Sequence, residues 1–109
     1  MDISFNTSAL ETACRQIKQA QKQFGALSAK KLLIRLSELF NAANVSELVA
    51  GRPHPLLGER HGEFALDLHG GSRIVFRSTV QPPLCRKDGS IDWSLVTAVT
   101  IVFIGDYHE

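Results

Sequence analysis

The sequence is poor in several residue types that define whole classes of protein. It has two cysteines, one tryptophan, one tyrosine and one methionine in 109 residues. Two distant cysteines cannot build the disulfide framework of a small secreted domain, so we expect Cys14 in the core and Cys85 as a free thiol in a polar loop. The four histidines are scattered, without Cys-x-x-Cys or His-Glu-x-x-His. We therefore expect no zinc site, no other metal site and no cofactor.

The sequence also lacks a strong net charge and long apolar runs. The net charge of +1 argues against broad, non-specific binding to nucleic acid. Residues 1–45 hold six Lys/Arg against three Asp/Glu, and residues 46–109 hold six against eight, so any RNA contact must be local and use a few placed arginines. No stretch approaches the roughly 18 apolar residues of a membrane span, and no secretory signal is recognisable. We expect a cytoplasmic protein with no membrane partner.

The composition is that of a folded domain, with 44% apolar and 21% charged residues. The length fits one domain covering residues 1–109. Residues 2–6 predict a short strand. Apolar side chains then recur at three- and four-residue intervals over residues 8–24, after a capping-box spacing at Ser8 and Glu11. Ser28 is a candidate N-cap of a second such stripe, so we expect two antiparallel helices separated near Gly25.

The second half of the sequence predicts an antiparallel sheet. Residues 51–62 contain two prolines and three glycines and predict a shaped loop that carries His54. Residues 63–69 and 72–78 predict two strands joined at Gly70-Gly71. Residues 96–105 predict a central strand buried on both faces, and the long polar loop before it is expected to be anchored by Trp93. The predicted fold class is α+β, with the helix pair packed on a small, mainly antiparallel sheet.

The turn at Gly70-Gly71 leaves two registers open. A two-residue turn pairs Leu68 with Arg73 and places Arg73 and Arg77 on the same face as Phe64. A three-residue turn with a bulge instead aligns Ile74 and Phe76 with the apolar residues of the first strand. A slip of one residue exchanges the two faces. We favour the two-residue turn, with helices on one side of the sheet and a cleft on the other.

A few polar residues stand where the sheet meets its loops, and their chemistry suits RNA cleavage without a metal ion. RNA is cut when its 2′-hydroxyl attacks the adjacent phosphate, which needs a base, an acid and positive charge. His54 and His108 suit the proton transfers, and Arg73 suits the phosphate. Tyr107 could position a nucleotide, and Asp106 could orient a histidine. Arg60 and Arg77 are candidates for RNA binding.

Three motifs in order resemble the HigB-type toxins of the RelE/ParE superfamily, which include plasmid-maintenance proteins. They are His-Pro-Leu-Leu-Gly-Glu-Arg-His-Gly at 54–62, Gly-Gly-Ser-Arg-Ile-Val-Phe-Arg at 70–77, and Asp-Tyr-His at 106–108. Leu57 stands where the family pattern has a lysine, and Ser72 where it has a tryptophan. The loop over residues 78–95 is longer than usual in the family.

This resemblance implies a type II toxin that cuts mRNA on the ribosome and is silenced by a HigA-like helix-turn-helix antitoxin. By position, His54, Asp106, Tyr107 and His108 match the family's catalytic residues, and Arg73 matches a supporting cation. Two other functions stay open at this point. One is a non-catalytic, ParE-like gyrase inhibitor, and the other is a non-toxic regulatory protein of the same fold.

Overall fold

The computed structural model describes residues 1–106, which form three helices and a five-stranded sheet. The strands are β1 (Asp2–Phe5), β2 (His54–Pro55), β3 (Glu63–Asp67), β4 (Arg73–Ser78) and β5 (Ala98–Gly105). The helices are α1 (Ser8–Arg15), α2 (Ile17–Phe24) and α3 (Ala26–Asn41). None of these helices is long and apolar enough to cross a membrane. The predicted α+β class is confirmed.

The helical half differs from the prediction in three details. The apolar stripe over residues 8–24 forms two helices, because Gln16 adopts an extended conformation between them. The break redirects the chain, since α1 contacts β1 and β5 whereas α2 packs on α3. The cap of α1 is Thr7, whose side chain accepts a hydrogen bond from the Leu10 amide. Ser28 lies inside α3, where its hydroxyl donates to the His69 carbonyl.

The strands lie in the order β1-β5-β4-β3-β2. Only the β1–β5 pair is parallel; the other three pairs are antiparallel. The predicted position of β5 inside the sheet is confirmed, since it pairs with β1 on one side and with β4 on the other. Its burial on both faces is incomplete, because Val102 and Phe103 are half-buried. Val102 is an extra residue at a bulge, where Val75 pairs with Phe103 and Phe76 pairs with Ile101.

The favoured register of the β3–β4 hairpin is wrong. Leu66 pairs with Ile74 and Asp67 pairs with Arg73, and residues 69–71 form a three-residue turn closed by the hydrogen bond from the Leu68 amide to the Ser72 carbonyl. The physical reason is burial. This register puts the large apolar side chains of the hairpin together on the helix side of the sheet, namely Phe64, Leu66, Leu68, Ile74 and Phe76. Burying a Phe, Leu or Ile side chain contributes about 1.5–3 kcal/mol.

The main core fills the space between the helices and one face of the sheet. Phe64, Leu66, Ile74 and Phe76 contribute from the hairpin, and they pack with buried residues of the helices and of β5. Trp93 joins this core from the loop between β4 and β5, with its ring centroid 4.9 Å from that of Phe64. The predicted anchoring of the loop by Trp93 is confirmed.

Candidate functional site

The face of the sheet that points away from the helices, called the outer face here, carries most of the predicted site residues. Residues paired directly across strands project to the same face. His54 pairs with Ala65, Ala65 with Val75, and Val75 with Phe103, so these side chains form one row across β2 to β5. Next to His54, a small apolar floor is formed by Leu56, Ala65, Val75, Val102 and Phe103. Polar side chains stand on both sides of this floor.

His54 is held by a sharp turn just before β2. Gly51 has φ 82° and Arg52 has φ 49°, the only positive φ of a non-glycine residue within residues 1–106. This left-handed turn places the Arg52 carbonyl oxygen 2.7 Å from His54 Nδ1. A carbonyl oxygen can only accept, so Nδ1 donates its proton in this bond. In the neutral ring Nε2 then has no proton, and it is the nitrogen that can take one from a substrate hydroxyl.

One end of the outer face carries two arginines that share one carboxylate. Asp67 Oδ1 accepts from Arg73 Nε at 3.0 Å, and Asp67 Oδ2 accepts from Arg52 Nε at 3.0 Å. The side chains of Asp67 and Arg73 are only 29% and 23% exposed, whereas that of Arg52 is 64% exposed. Arg73 Nη1 also donates to the Gly71 carbonyl. These hydrogen bonds therefore hold the Arg73 side chain along the surface of the sheet.

The other end of the outer face holds Arg60 and Arg77 beside Glu63. Arg60 Nη1 donates to Glu63 Oε1 at 2.8 Å, and the Arg60 guanidinium lies 4.6 Å from the centre of the Phe103 ring. Arg77 pairs with Glu63 across the strands, and its Nη1 donates to the Ser78 carbonyl. The Arg77 guanidinium makes no ion pair within residues 1–106. Both predicted RNA-binding arginines thus lie on one face with His54.

Asp106 follows the end of β5, beside the β3–β4 turn. Gly105 pairs with Arg73, and a Cβ built on Gly71 would come within 2.7 Å of Asp106 Oδ2. The structure therefore brings Asp106 and Arg73 to the same corner of the sheet. His54 lies on the same face but two strands from Arg73 and three from β5, which is roughly 14 Å from β5 at about 4.8 Å per strand. Tyr107 and His108 lie outside the described residues.

Carboxylates neutralise part of the positive charge of the outer face, a feature that was not predicted from the sequence. Two carboxylates, Asp67 and Glu63, hold Arg52, Arg73 and Arg60. The signal for the Asp67 pair was present in the sequence, since Asp67 and Arg73 flank the turn symmetrically, but the favoured two-residue turn put them on opposite faces. No group of three or more His, Cys, Asp or Glu side chains that could hold a metal ion occurs within residues 1–106.

The fold built by these elements is found in solved structures of bacterial toxins. A YoeB/ParE toxin from Agrobacterium tumefaciens superposes with a TM-score of 0.62 at 12% identity, over 99% of this chain and 100% of the toxin. The chain has the fold of the YoeB/ParE toxins. No protein-family model and no curated protein matches the sequence.

Two structures of Staphylococcus aureus YoeB have a fold similar to that of this chain. The YoeB–YefM complex gives a TM-score of 0.55 at 17% identity, and the YoeB dimer gives 0.56 at 18% identity. Each comparison covers 100% of this chain and 98% of the other. The predicted RelE-like fold is therefore confirmed over the whole length of the toxin chains. The assignment to the HigB type within that fold stays a prediction.

Proposed function

We propose that this chain is the toxin of a type II toxin–antitoxin system and that it cuts mRNA on the ribosome without a metal ion. The observation that carries this proposal is the hydrogen bond from His54 Nδ1 to the Arg52 carbonyl oxygen. It leaves Nε2 as a proton acceptor on a face lined with arginines. The same fold in the YoeB/ParE toxins supports the proposal, as do the HigB-like motifs of the sequence.

In the proposed reaction the RNA 2′-hydroxyl attacks the neighbouring phosphorus and the bond to the 5′-oxygen breaks. His54 and His108 exchange the two protons, one taking the 2′-hydroxyl proton and the other giving a proton to the leaving oxygen. Arg73 stabilises the pentacoordinate phosphate, Tyr107 positions the nucleotide, and Asp106 tunes the pair of histidines. The products are a 2′,3′-cyclic phosphate and a 5′-hydroxyl.

The ion pairs of the outer face are expected to weaken its binding to RNA. An incoming phosphate must share Arg73 and Arg60 with the Asp67 and Glu63 carboxylates, so binding gains less from these two arginines than from an unneutralised pair. Arg77, which makes no ion pair within residues 1–106, is expected to contribute more than either of them. A ribosome that already presents the mRNA would compensate for this weak intrinsic attraction.

A toxin of this kind needs a partner that silences it. One structural neighbour is a YoeB–YefM complex from Staphylococcus aureus. We propose that this chain likewise binds a cognate antitoxin, of the HigA-like helix-turn-helix type that the sequence motifs imply. Because the proposed substrate is mRNA on the ribosome, both partners would act in the cytoplasm.

The test is brief induction in bacteria, followed by growth measurement and primer extension on cellular mRNA. Wild-type protein is expected to stop growth and to produce new mRNA 5′ ends within codons. His54→Ala and His108→Ala should abolish both effects while circular dichroism shows a folded protein. His69→Ala is the matched control, because His69 is an exposed histidine of the hairpin turn. Undiminished cleavage by a folded double variant of His54 and His108 would refute the assignment.

A second candidate function is gyrase inhibition without catalysis. It is favoured by the paired charges of the outer face, which resemble a protein-binding surface more than an RNA groove, and by the neighbour described as a YoeB/ParE toxin. Induction of the DNA-damage response without new mRNA ends, unchanged in His108→Ala, would support this function over the first.

A further inference from the structure

A cleft of about 270 Å³ opens at the β2 edge of the sheet, outside the outer face. On one side lies the β2–β3 connection, which contributes Leu56, Leu57 and His61. On the other side lies the loop between β4 and β5, which contributes Arg86 and Trp93. This surface is called the edge cleft below. Its size is just under the roughly 300 Å³ at which pockets begin to hold drug-sized ligands, so it suits one planar ring.

The loop that forms one wall of the edge cleft is shaped by its own hydrogen bonds. Cys85 and Ile91 form an antiparallel bridge, and the Arg86 amide donates to the Ser90 carbonyl at 2.7 Å. The Ser90 amide and hydroxyl both donate to Asp88 Oδ1, which lowers the pKa of the Asp88 carboxyl. Arg86 is thus presented from a defined small hairpin rather than from an unstructured loop.

The side chains of the edge cleft combine an aromatic ring, apolar walls and cations. Trp93 is half-buried. Its ring makes an edge-to-face contact with Phe64, and another side of the residue lines the cleft. Leu57 is 71% exposed at the rim, so covering its side chain would release water from apolar surface. Arg86 is 62% exposed, and its nearest carboxylate, Asp92, is 3.9 Å away, which leaves it able to bind an anion or a carbonyl oxygen.

The edge cleft is also next to His54 in the chain. Pro55 and Leu56 directly follow His54, and Leu56 belongs both to the apolar floor of the outer face and to the wall of the cleft. A strand of RNA with its scissile phosphate at His54 would therefore meet the cleft with an adjoining nucleotide. Aromatic and apolar walls with a nearby arginine are the combination that binds unpaired bases.

We propose that the edge cleft binds one unpaired nucleobase of the RNA beside the cleaved bond, with Trp93 as the ring it packs against and Arg86 as its polar contact. This inference rests on the proposed nuclease function, to which it adds a specificity site. The cleft depends on the loop between β4 and β5, so base preference would be set in part by a segment that contains none of the candidate catalytic residues.

The single tryptophan of the sequence provides a direct test. All tryptophan emission of the intact protein comes from Trp93, so titration with nucleoside 5′-monophosphates is expected to change it in a saturable way. N-acetyltryptophanamide corrects for absorption by the nucleotides, and ribose 5-phosphate, which lacks the base, should give no saturable change. Arg86→Ala is expected to weaken binding about 5- to 10-fold, whereas Lys87→Ala, the adjacent exposed cation, should leave it unchanged.

Three results of the titration would overturn the inference: no saturable change with any nucleotide, an equal change with ribose 5-phosphate, or equal binding by Arg86→Ala. Cleavage-site mapping on mRNA separates this failure from failure of the proposed function. Normal cleavage with unaltered sites in Arg86→Ala would refute the cleft and leave the nuclease intact. Nucleotide binding that Arg86→Ala weakens, in a protein that cuts no mRNA, would support the cleft as a base site and refute the nuclease.

Discussion

Asp67→Asn is the substitution that most directly tests how the outer face is held together. The carboxylate of Asp67 accepts one hydrogen bond from Arg73 and one from Arg52, each at 3.0 Å. Asparagine keeps the size of the side chain and one carbonyl oxygen, but it removes the negative charge between two guanidinium groups. The variant is therefore expected to fold, to be less stable, and to bind RNA more tightly.

The loss of stability can be estimated from exposure. The Asp67–Arg73 pair is about one quarter exposed on each side, so losing its charge-assisted bond should cost about 1–2 kcal/mol. The Asp67–Arg52 pair is more exposed and screened by solvent, so it adds only about 0.5 kcal/mol. The total of about 1.5–2.5 kcal/mol corresponds to a urea midpoint lowered by roughly 1 M.

The assay is urea unfolding followed by circular dichroism, with Glu11→Gln as the matched control. Glu11 makes a 2.8 Å bridge to Arg15, but both side chains are largely exposed, so this loss should be below about 0.5 kcal/mol. Equal midpoints for the two variants would refute the argument that Asp67 organises the site.

The same substitution has an expected effect on RNA binding, which depends on the proposed function. Removing the charge of Asp67 takes away one carboxylate that competes with a phosphate for Arg73, so affinity for a single-stranded RNA should rise about 3- to 10-fold. A plot of the logarithm of the binding constant against the logarithm of salt concentration should have a slope steeper by about 0.7 if one more phosphate is contacted. His54→Ala provides the inactive background for this titration, and an unchanged salt slope would contradict the expected release of Arg73.

Three further substitutions test other parts of the structure. Gly51→Ala should destabilise the protein by about 2 kcal/mol or more, because Gly51 has φ 82° and a Cβ there would overlap the Arg35 guanidinium; thermal unfolding measures it. Gly71→Ala should cost less than about 1 kcal/mol, since its Cβ meets only the end of the Asp106 side chain, yet lower mRNA cleavage if Asp106 acts in the reaction. Burial raises the pKa of Cys14 from 9.0 to about 11, so its neutral thiol stabilises the folded state fully below pH 9, and that contribution is lost as the pH rises towards 11. The difference in the free energy of unfolding between wild type and Cys14→Ala, measured by urea unfolding, should therefore become smaller as the pH rises from 9 towards 11.

Much of the fold could be predicted from the hydrophobic patterns of the sequence. Alternation in the hairpin, the apolar run of β5 and the position of Trp93 all predicted what the structure contains. The break at Gln16 had no such signal, because neither glycine nor proline marks it and the direction of α2 is decided by packing on α3. The hairpin register failed for a related reason, since Gly70-Gly71 favours a short turn locally while burial of the strands requires a longer one.

The candidate site was predicted in part. The sequence predicted His54, Arg60, Arg73 and Arg77 as candidates, and the structure places them on one face. Asp67 and the Arg52 carbonyl were not anticipated, because their roles depend on a turn geometry and a strand register that only the folded chain defines. Whether His108 approaches His54 stays a prediction.

The bulge at Val102 decides which way β5 presents its second half. Side chains of an undisturbed strand alternate strictly, so Val99 and Ile101 would share their side of the sheet with Phe103 and Gly105. The additional residue reverses the alternation, and Ile104 joins the core while Phe103 turns to the outer face beneath Arg60. Deleting Val102 would keep both side chains on their present faces, because Phe103 would follow Ile101 directly and still pair with Val75. A strand that kept Val102 without the bulge would instead turn the Phe103 ring towards the helices and remove it from beneath Arg60. The bulge thus decides which face of the sheet each side chain in the last part of β5 occupies.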